Sequence, residues 1–218
     1  RAEKRLQEME KTAKKWGVAI GAAAVAAGAA FAAMTKRAIN SMDEMSKMAQ
    51  QAGTTTETLS ALTYAADLSG VSQEKLVQSM ARLSQSMADA AAGTGEAKDA
   101  FEALGISVVN ADGSLRGSDE IFTQIAQRLS EVDNGAQKTA LAMDIFGRSG
   151  AQLIPMLNSG EEGLAQMRRE AEQLGIVMDT DAARAAEQLN DEITRLTKAF
   201  DGLFIKVASD VVPVILDV

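Results

Sequence analysis

The sequence predicts an all-α protein. Apolar residues make up 46% of the 218-residue chain but aromatic residues only 4%, so alanine and methionine supply much of the apolar content. Runs of β-branched residues are scarce, and apolar residues recur at steps of three and four along much of the chain. This spacing places apolar side chains on one face of a helix, which favours helices packed against one another.

Residues 1–52 are predicted to form one long helix. Its apolar residues alternate steps of three and four, which is the seam spacing of a coiled coil. These residues are Leu6, Met9, Ala13, Trp16, Ile20, Ala23, Ala27 and Ala30. At about 1.5 Å per residue the helix would be roughly 75–80 Å long.

The segment 16–34, "WGVAIGAAAVAAGAAFAAM", carries no charged residue. Its length is near that needed to cross a bilayer, with Trp16 and Phe31 among its residues, and Gly17 with Gly21 forms a contact face of small residues. We favour close helix packing in an oligomer, because alanine adds little to membrane insertion and glycine opposes it. A membrane-spanning segment is the alternative.

Residues 53–178 are predicted to form a compact node of shorter helices. Thr54 and Glu57 have the spacing of a capping box at the start of the first helix, and Ser118 is expected to cap a later one. Between them, 106–116 contains the turn sequence "NADG" flanked by residues of extended character. This stretch predicts one small β-hairpin.

The stretch "FGRSGAQLIPMLNSG" at 146–160 interrupts the helical pattern. Gly147 is expected to end the helix that finishes at Phe146, and Arg148 is placed to reach carbonyl groups at that helix end or a nearby acid. Leu153, Ile154 and Leu157 would then fill the core of the node, beside Gly150 and Pro155. The stretch is thus explained as a tight corner between helices.

Residues 179–218 are predicted to form a second long helix with a coiled-coil seam. Charged residues lie between the seam positions, which indicates a helix that associates with another copy or with a partner. The seam residues are Leu189, Ile193, Leu196, Phe200, Leu203 and Val207.

The composition excludes several kinds of chemistry. The chain has no His and no Cys, so His bases, Cys nucleophiles and Cys/His zinc sites are ruled out. The acidic pairs Asp119/Glu120 and Glu161/Glu162 fall in the first turns of predicted helices, where acids complement the helix dipole. No catalytic, cofactor-binding or metal-binding residue is predicted, and a lytic enzyme is rejected.

The net charge of −8 disfavours specific binding to nucleic acid. Because the chain starts at Arg1 and stops on the apolar "DVVPVILDV", we expect it to be a piece of a longer polypeptide.

The stretch "DIFGRSGAQLIPMLNSG" at 144–160 resembles the signature of phage tail tape measure proteins. Three further segments resemble that family in the same order. They are "ALTYAADLSGVSQEKLVQSMARL" at 61–83, "AFEALGISVVNADGSLR" at 100–116 and "LNDEITRLTKAFDGLFIKVASDVVPVI" at 189–215.

The resemblance implies an elongated helical virion protein in the lumen of the tail. Several parallel copies, with three suggested by the family, would set tail length and leave at DNA ejection. Tail tube proteins, tail tip proteins and a tail assembly chaperone would be its partners, and the host membrane would be met at infection. The alternative function is a membrane-active helical protein that forms or lines a channel for DNA.

Overall fold

A computed structural model describes the backbone of residues 33–216 and the side chains of residues 33–202. The all-α prediction is confirmed, because helices dominate this part of the chain and no strand or sheet forms in it. Helix α1 covers 33–52, and a 3₁₀ turn, Gly147–Ser149, lies between α6 and α7. The other helices are α2 (Thr56–Leu68), α3 (Gln73–Ala91), α4 (Glu96–Ala103), α5 (Ser118–Glu131), α6 (Ala136–Phe146), α7 (Gly150–Leu157), α8 (Gly160–Gln173) and α9 (Thr180–Leu216).

The chain divides into two units, Arg1–Ser41 and Met42–Val218. In the first unit the structure describes residues 33–41, which are helical. The predicted long helix is therefore seen over 33–52, and the earlier part of that prediction lies outside the described residues.

The core of the second unit is built around α3, which contacts α2, α4, α5, α6 and α7. Leu76, Met80 and Leu83 recur at helical spacing along α3 and are fully buried. Phe122 of α5 meets Phe146 of α6 edge to face, with ring centroids 5.7 Å apart. The carboxyl end of α6, where the glycine-containing corner begins, is thus fixed in the core.

Helix α1 also contributes to this core. Met45, Ala49 and Ala52 are buried in the same apolar cluster. They recur at steps of four and three, so one face of α1 packs inward along its last two turns. The end of the predicted long helix is therefore part of the second unit's packing.

The predicted hairpin forms one antiparallel bridge, between Val109 and Leu115. Its turn has the expected chemistry, because Gly113 adopts φ +84° and Asp112 Oδ1 accepts a hydrogen bond from Ser114 N at 2.9 Å. Arg116 then donates to the Ser107 carbonyl at 2.7 Å and to the Glu120 carboxylate. Side-chain hydrogen bonds at the turn and at Arg116 therefore stabilise this connection, although it contains only one β-bridge.

Two expected helix caps are wrong. The N-cap of α2 is Thr55, one residue after Thr54, and its hydroxyl accepts from Thr58 N at 3.2 Å. Ser118 is the first residue of α5 rather than its cap, and its hydroxyl donates to the Gly53 carbonyl at 2.9 Å. The cap of α2 is therefore one residue later than the spacing predicts, and the Ser118 side chain contacts the loop before α2 instead of capping α5.

Candidate interaction surface

The corner at 146–160 begins with a glycine, as predicted. Gly147 follows the last residue of α6 and has φ +70°, a conformation that L side chains rarely adopt. After the 3₁₀ turn, α7 starts at Gly150. The sequence prediction that Gly147 ends α6 is confirmed.

Gly150 is required for a different reason, which is space. A Cβ atom at this position would lie 2.0 Å from the Ala142 carbonyl oxygen and 3.0 Å from Phe146 Cβ. Its φ of −57° is ordinary helical backbone. The second glycine of the motif therefore lets the start of α7 touch the backbone of α6.

The remaining motif residues divide between core and surface. Leu153, Met156 and Leu157 are buried, and Ile154 packs partly buried against them. Pro155 is exposed inside α7. Its missing N–H costs this two-turn helix one hydrogen bond, to the carbonyl four residues earlier.

A carbonyl group near the C-terminus of α6 accepts a hydrogen bond from a residue that the sequence analysis did not predict. Ser86 of α3, which is fully buried, donates its hydroxyl proton to the Ile145 carbonyl at 2.8 Å. The hydrogen bond expected from Arg148 is not formed, since Arg148 is exposed and has no partner in the described structure. The motif thus forms a structural corner held by α3.

The second predicted surface is the seam of α9. Leu189, Ile193, Leu196 and Phe200 are exposed by 47%, 45%, 59% and 69%. Every residue in 191–202 is exposed. Leu203 and Val207 continue the same spacing along the helix, and their side chains lie outside the described residues. We call the four exposed residues the seam stripe.

Charges beside the seam stripe are partly neutralised within α9. Arg195 donates to the Glu192 carboxylate at 2.6 Å, three residues away on the same helix. Over 189–202, Asp191, Glu192 and Asp201 stand against Arg195 and Lys198, so the local net charge is −1 compared with −8 for the whole chain. The stripe is a nearly neutral apolar surface.

The start of α9 is attached to α1 by polar side chains. Asn190 donates to Asp43 Oδ2 at 2.6 Å, while Ser46 and Gln50 donate to Glu187 Oε2 at 2.9 and 3.2 Å. Because Asp43 pairs with the later α9 residue and Gln50 with the earlier one, the two helices run antiparallel here. We call these five side chains the clasp.

Lys47 completes the charge balance of the clasp. Its ammonium lies 2.7 Å from Asp43 Oδ1 and donates to Oδ2 at 2.9 Å. The hydrogen bond with Asp43 raises the pKa of Lys47 above its ordinary value. Asp43, which is buried, is therefore compensated by a cation from its own helix and by an amide from α9.

Helix α2 holds the first turn of α9. The Glu57 carboxylate accepts from Thr180 N at 3.2 Å and from the Thr180 hydroxyl at 3.0 Å. One turn away, the Ser60 hydroxyl accepts from Met178 N at 3.0 Å. Glu57 therefore acts on a helix distant in sequence instead of closing a capping box on α2.

The acidic pairs lie where helix-dipole stabilisation predicts. Asp119 and Glu120 are in the first turn of α5, and Glu161 and Glu162 are in that of α8. Within the described residues, no group of acidic side chains is arranged to hold a metal ion.

Residues 16–32 of the candidate membrane segment, which include Trp16, Gly17, Gly21 and Phe31, lie outside the described residues. None of the helices described over residues 33–216 combines the length and the hydrophobicity of a membrane span.

Comparison with known families decides the class of this protein. A family model described as phage-related minor tail protein matches residues 4–147, about two thirds of the chain. The chain belongs to this family. The minor tail protein match includes α1–α6 and ends at the first glycine of the corner, while α9 and its seam stripe lie beyond it. No curated protein and no solved structure matches the chain.

Membership gives this minor tail protein a structural role in a phage tail, where it is associated with the virion and contacts other tail components. The clasp, the corner and the seam stripe are accordingly features of an assembly protein.

Proposed function

We propose that this minor tail protein is the tape measure of its phage tail, which sets tail length inside the tail tube and is released at DNA ejection. The supporting observation is α9, a continuous helix of 37 residues with an exposed seam stripe. A helix converts residue number into distance at about 1.5 Å per residue, so α9 alone measures about 55 Å.

Self-association of α9 with other copies of the chain would make this long helix stiff. An isolated helix frays, whereas helices joined along an apolar seam support one another. The seam stripe supplies this surface, and we propose a parallel homo-oligomer, with three copies as the resemblance suggests. Tail tube and tip proteins and an assembly chaperone are the proposed partners, and the tail lumen is the proposed location.

Tail length measured by electron microscopy tests the templating role. Two additional copies of 189–202 inserted after Gly202 add 28 residues while keeping the seam in phase, and tails should lengthen by about 42 Å. The matched control places 28 glycine and serine residues after Gly113, in the exposed turn, and should leave length unchanged. Equal tail length in both phages would refute templating.

The second candidate is a membrane-active helical protein that forms or lines a channel through the host envelope. The uncharged segment 16–34 supports it. The purified chain should release dye from liposomes, and Ala27→Asp or Gly21→Asp should suppress the release, because a charge opposes insertion. If the unsubstituted chain releases no dye, only the packing role of the segment is left.

A further inference from the structure

Ala186 is shared between two surfaces of α9. Counting back from Ile193 and Leu189, the seam spacing of four and three arrives at Ala186 and then at Ala182. Ala186 is only 7% exposed, and it adjoins Glu187, whose carboxylate accepts hydrogen bonds from α1. Of the seam positions before Leu189, Ala186 is therefore covered while Ala182 is exposed, and the seam is open without interruption only from Leu189 onward.

We propose that the clasp is an autoinhibitory contact that sets where the pairing of α9 with a second copy begins. With the clasp closed, pairing starts at Leu189. With the clasp open, Ala186 is uncovered and pairing extends back to Ala182, about two turns further. This inference rests on the self-association in the proposed function and adds a regulated limit to it.

A second copy of the chain is the occupant that the charges fit. Parallel copies place like side chains next to one another, so a self-associating stripe must avoid a large charge of one sign. The band 189–202 has three acidic and two basic residues, although the whole chain carries −8. A different protein that recognised this surface by its charge would require a larger net charge than the −1 of residues 189–202.

The composition of the clasp allows it to open. Its contacts are hydrogen bonds between side chains at a partly exposed surface, where water offers replacement partners. Ala183 and Ala186 are the α9 residues buried at this junction among those with described side chains. Two methyl groups provide little apolar contact to lose when the helix separates.

Engineered cysteines test the limit directly, because the sequence contains no native cysteine. Single variants Ala186→Cys, Ile193→Cys and Phe200→Cys place a thiol at equivalent seam positions, where copies in parallel register bring the two sulfur atoms together. Each is combined with an opened clasp, Asp43→Ala/Ser46→Ala/Gln50→Ala, which leaves α9 unchanged. The matched control substitutes the exposed α1 residues Glu44 and Gln51 with alanine.

With an added oxidant, Ile193→Cys and Phe200→Cys should form interchain disulfides whether the clasp is intact or opened. Ala186→Cys should react at least about tenfold more slowly with the clasp intact, because only the fraction of molecules with an open clasp can pair there. Opening the clasp should remove this difference, and the Glu44/Gln51 control should preserve it.

Two results would overturn the inference alone: Ala186→Cys reacting as fast as Phe200→Cys with the clasp intact, or staying slow after the clasp is opened. Failure of Phe200→Cys to react in any background would overturn the self-association as well. Circular dichroism of the reduced proteins checks folding. If the triple variant loses helicity, Glu187→Ala opens the clasp from the α9 side and carries the same expectation.

Discussion

At the scale of single residues, the corner at 146–160 shows two glycines with different physical roles. Gly147 supplies a left-handed backbone conformation, and Gly150 supplies space against the Ala142 carbonyl. The sequence predicts the first role, because a glycine after an apolar helical run is a common helix end. The second depends on how closely two helices approach, which local sequence does not report.

Gly150→Ala should destabilise the second unit by about 3 kcal/mol or more, because the added methyl group overlaps backbone atoms that cannot rotate away. Chemical denaturation followed by circular dichroism measures the change. Gly135→Ala is the matched control, since its Cβ meets no atom within 4 Å and its φ of 164° is extended backbone. A Gly150→Ala protein as stable as this control would contradict the close contact.

Two fully buried serines on α3 provide a second residue-scale prediction. Ser86 donates to the Ile145 carbonyl, whereas Ser79 Oγ has no partner in the described structure. Ser86→Ala should cost about 1–3 kcal/mol of unfolding free energy, because it leaves a buried carbonyl without its hydrogen bond. Ser79→Ala should be neutral or stabilising. Equal losses would show that the Ser86 bond contributes nothing specific.

The partnership of Ser86 with Ile145 could not be read from the sequence. The two residues are 59 positions apart, and serine occurs throughout the helices. Arg148, the more conspicuous residue, is instead exposed. Sequence reasoning finds local backbone requirements well, but it does not identify which distant side chain meets a free carbonyl.

At the scale of elements, the helical spacing predicts the long C-terminal helix correctly. Its start at Thr180 agrees with the sequence, because Asp179 Oδ1 accepts from Ala182 N at 2.8 Å as a helix cap does. The small hairpin is reduced to one bridge, because only a few residues of extended character flank the turn. A long apolar periodicity predicts a helix reliably, whereas the structure of a short stretch of extended residues depends on the elements packed around it.

Leu196→Gln should weaken self-association of α9 by about tenfold or more. A leucine buried between helices contributes roughly 1.5–3 kcal/mol, which corresponds to one or two powers of ten in affinity. Sedimentation velocity across a concentration series measures the change. Thr194→Gln, which changes an exposed residue two positions away on another face, should have no effect, and equal weakening by both would reject the seam stripe.

At the scale of the whole molecule, the attachment of α9 was the least predictable feature. Asp43, Ser46 and Gln50 look like the solvated side of a long helix, and their partners on α9 are 137–147 residues away. Polar residues carry no periodic signal of burial, so the sequence predicts the two helices but not the contact between them. The predicted division at 52/53 and 178/179 stays a prediction.

A chain that ends at Asn190 should keep the thermal midpoint of the full chain within about 2–4 °C, which corresponds to a stability difference of about 1 kcal/mol. The reason is that no residue in 191–202 is buried. Calorimetry at a concentration where the full chain is monomeric makes the measurement. A chain ending at Met178 also loses Ala183, Ala186 and the clasp, and should melt lower.

The contacts of Glu57 and the clasp fix the azimuth of α9 about its own axis. Inserting one residue between Glu187 and Leu189 would turn every later side chain by about 100°, pointing the apolar residues away from their neighbours. Seven inserted residues nearly restore the original direction. Insertions into α9 that preserve its association should therefore come in whole heptads, each of which lengthens the helix by about 10 Å.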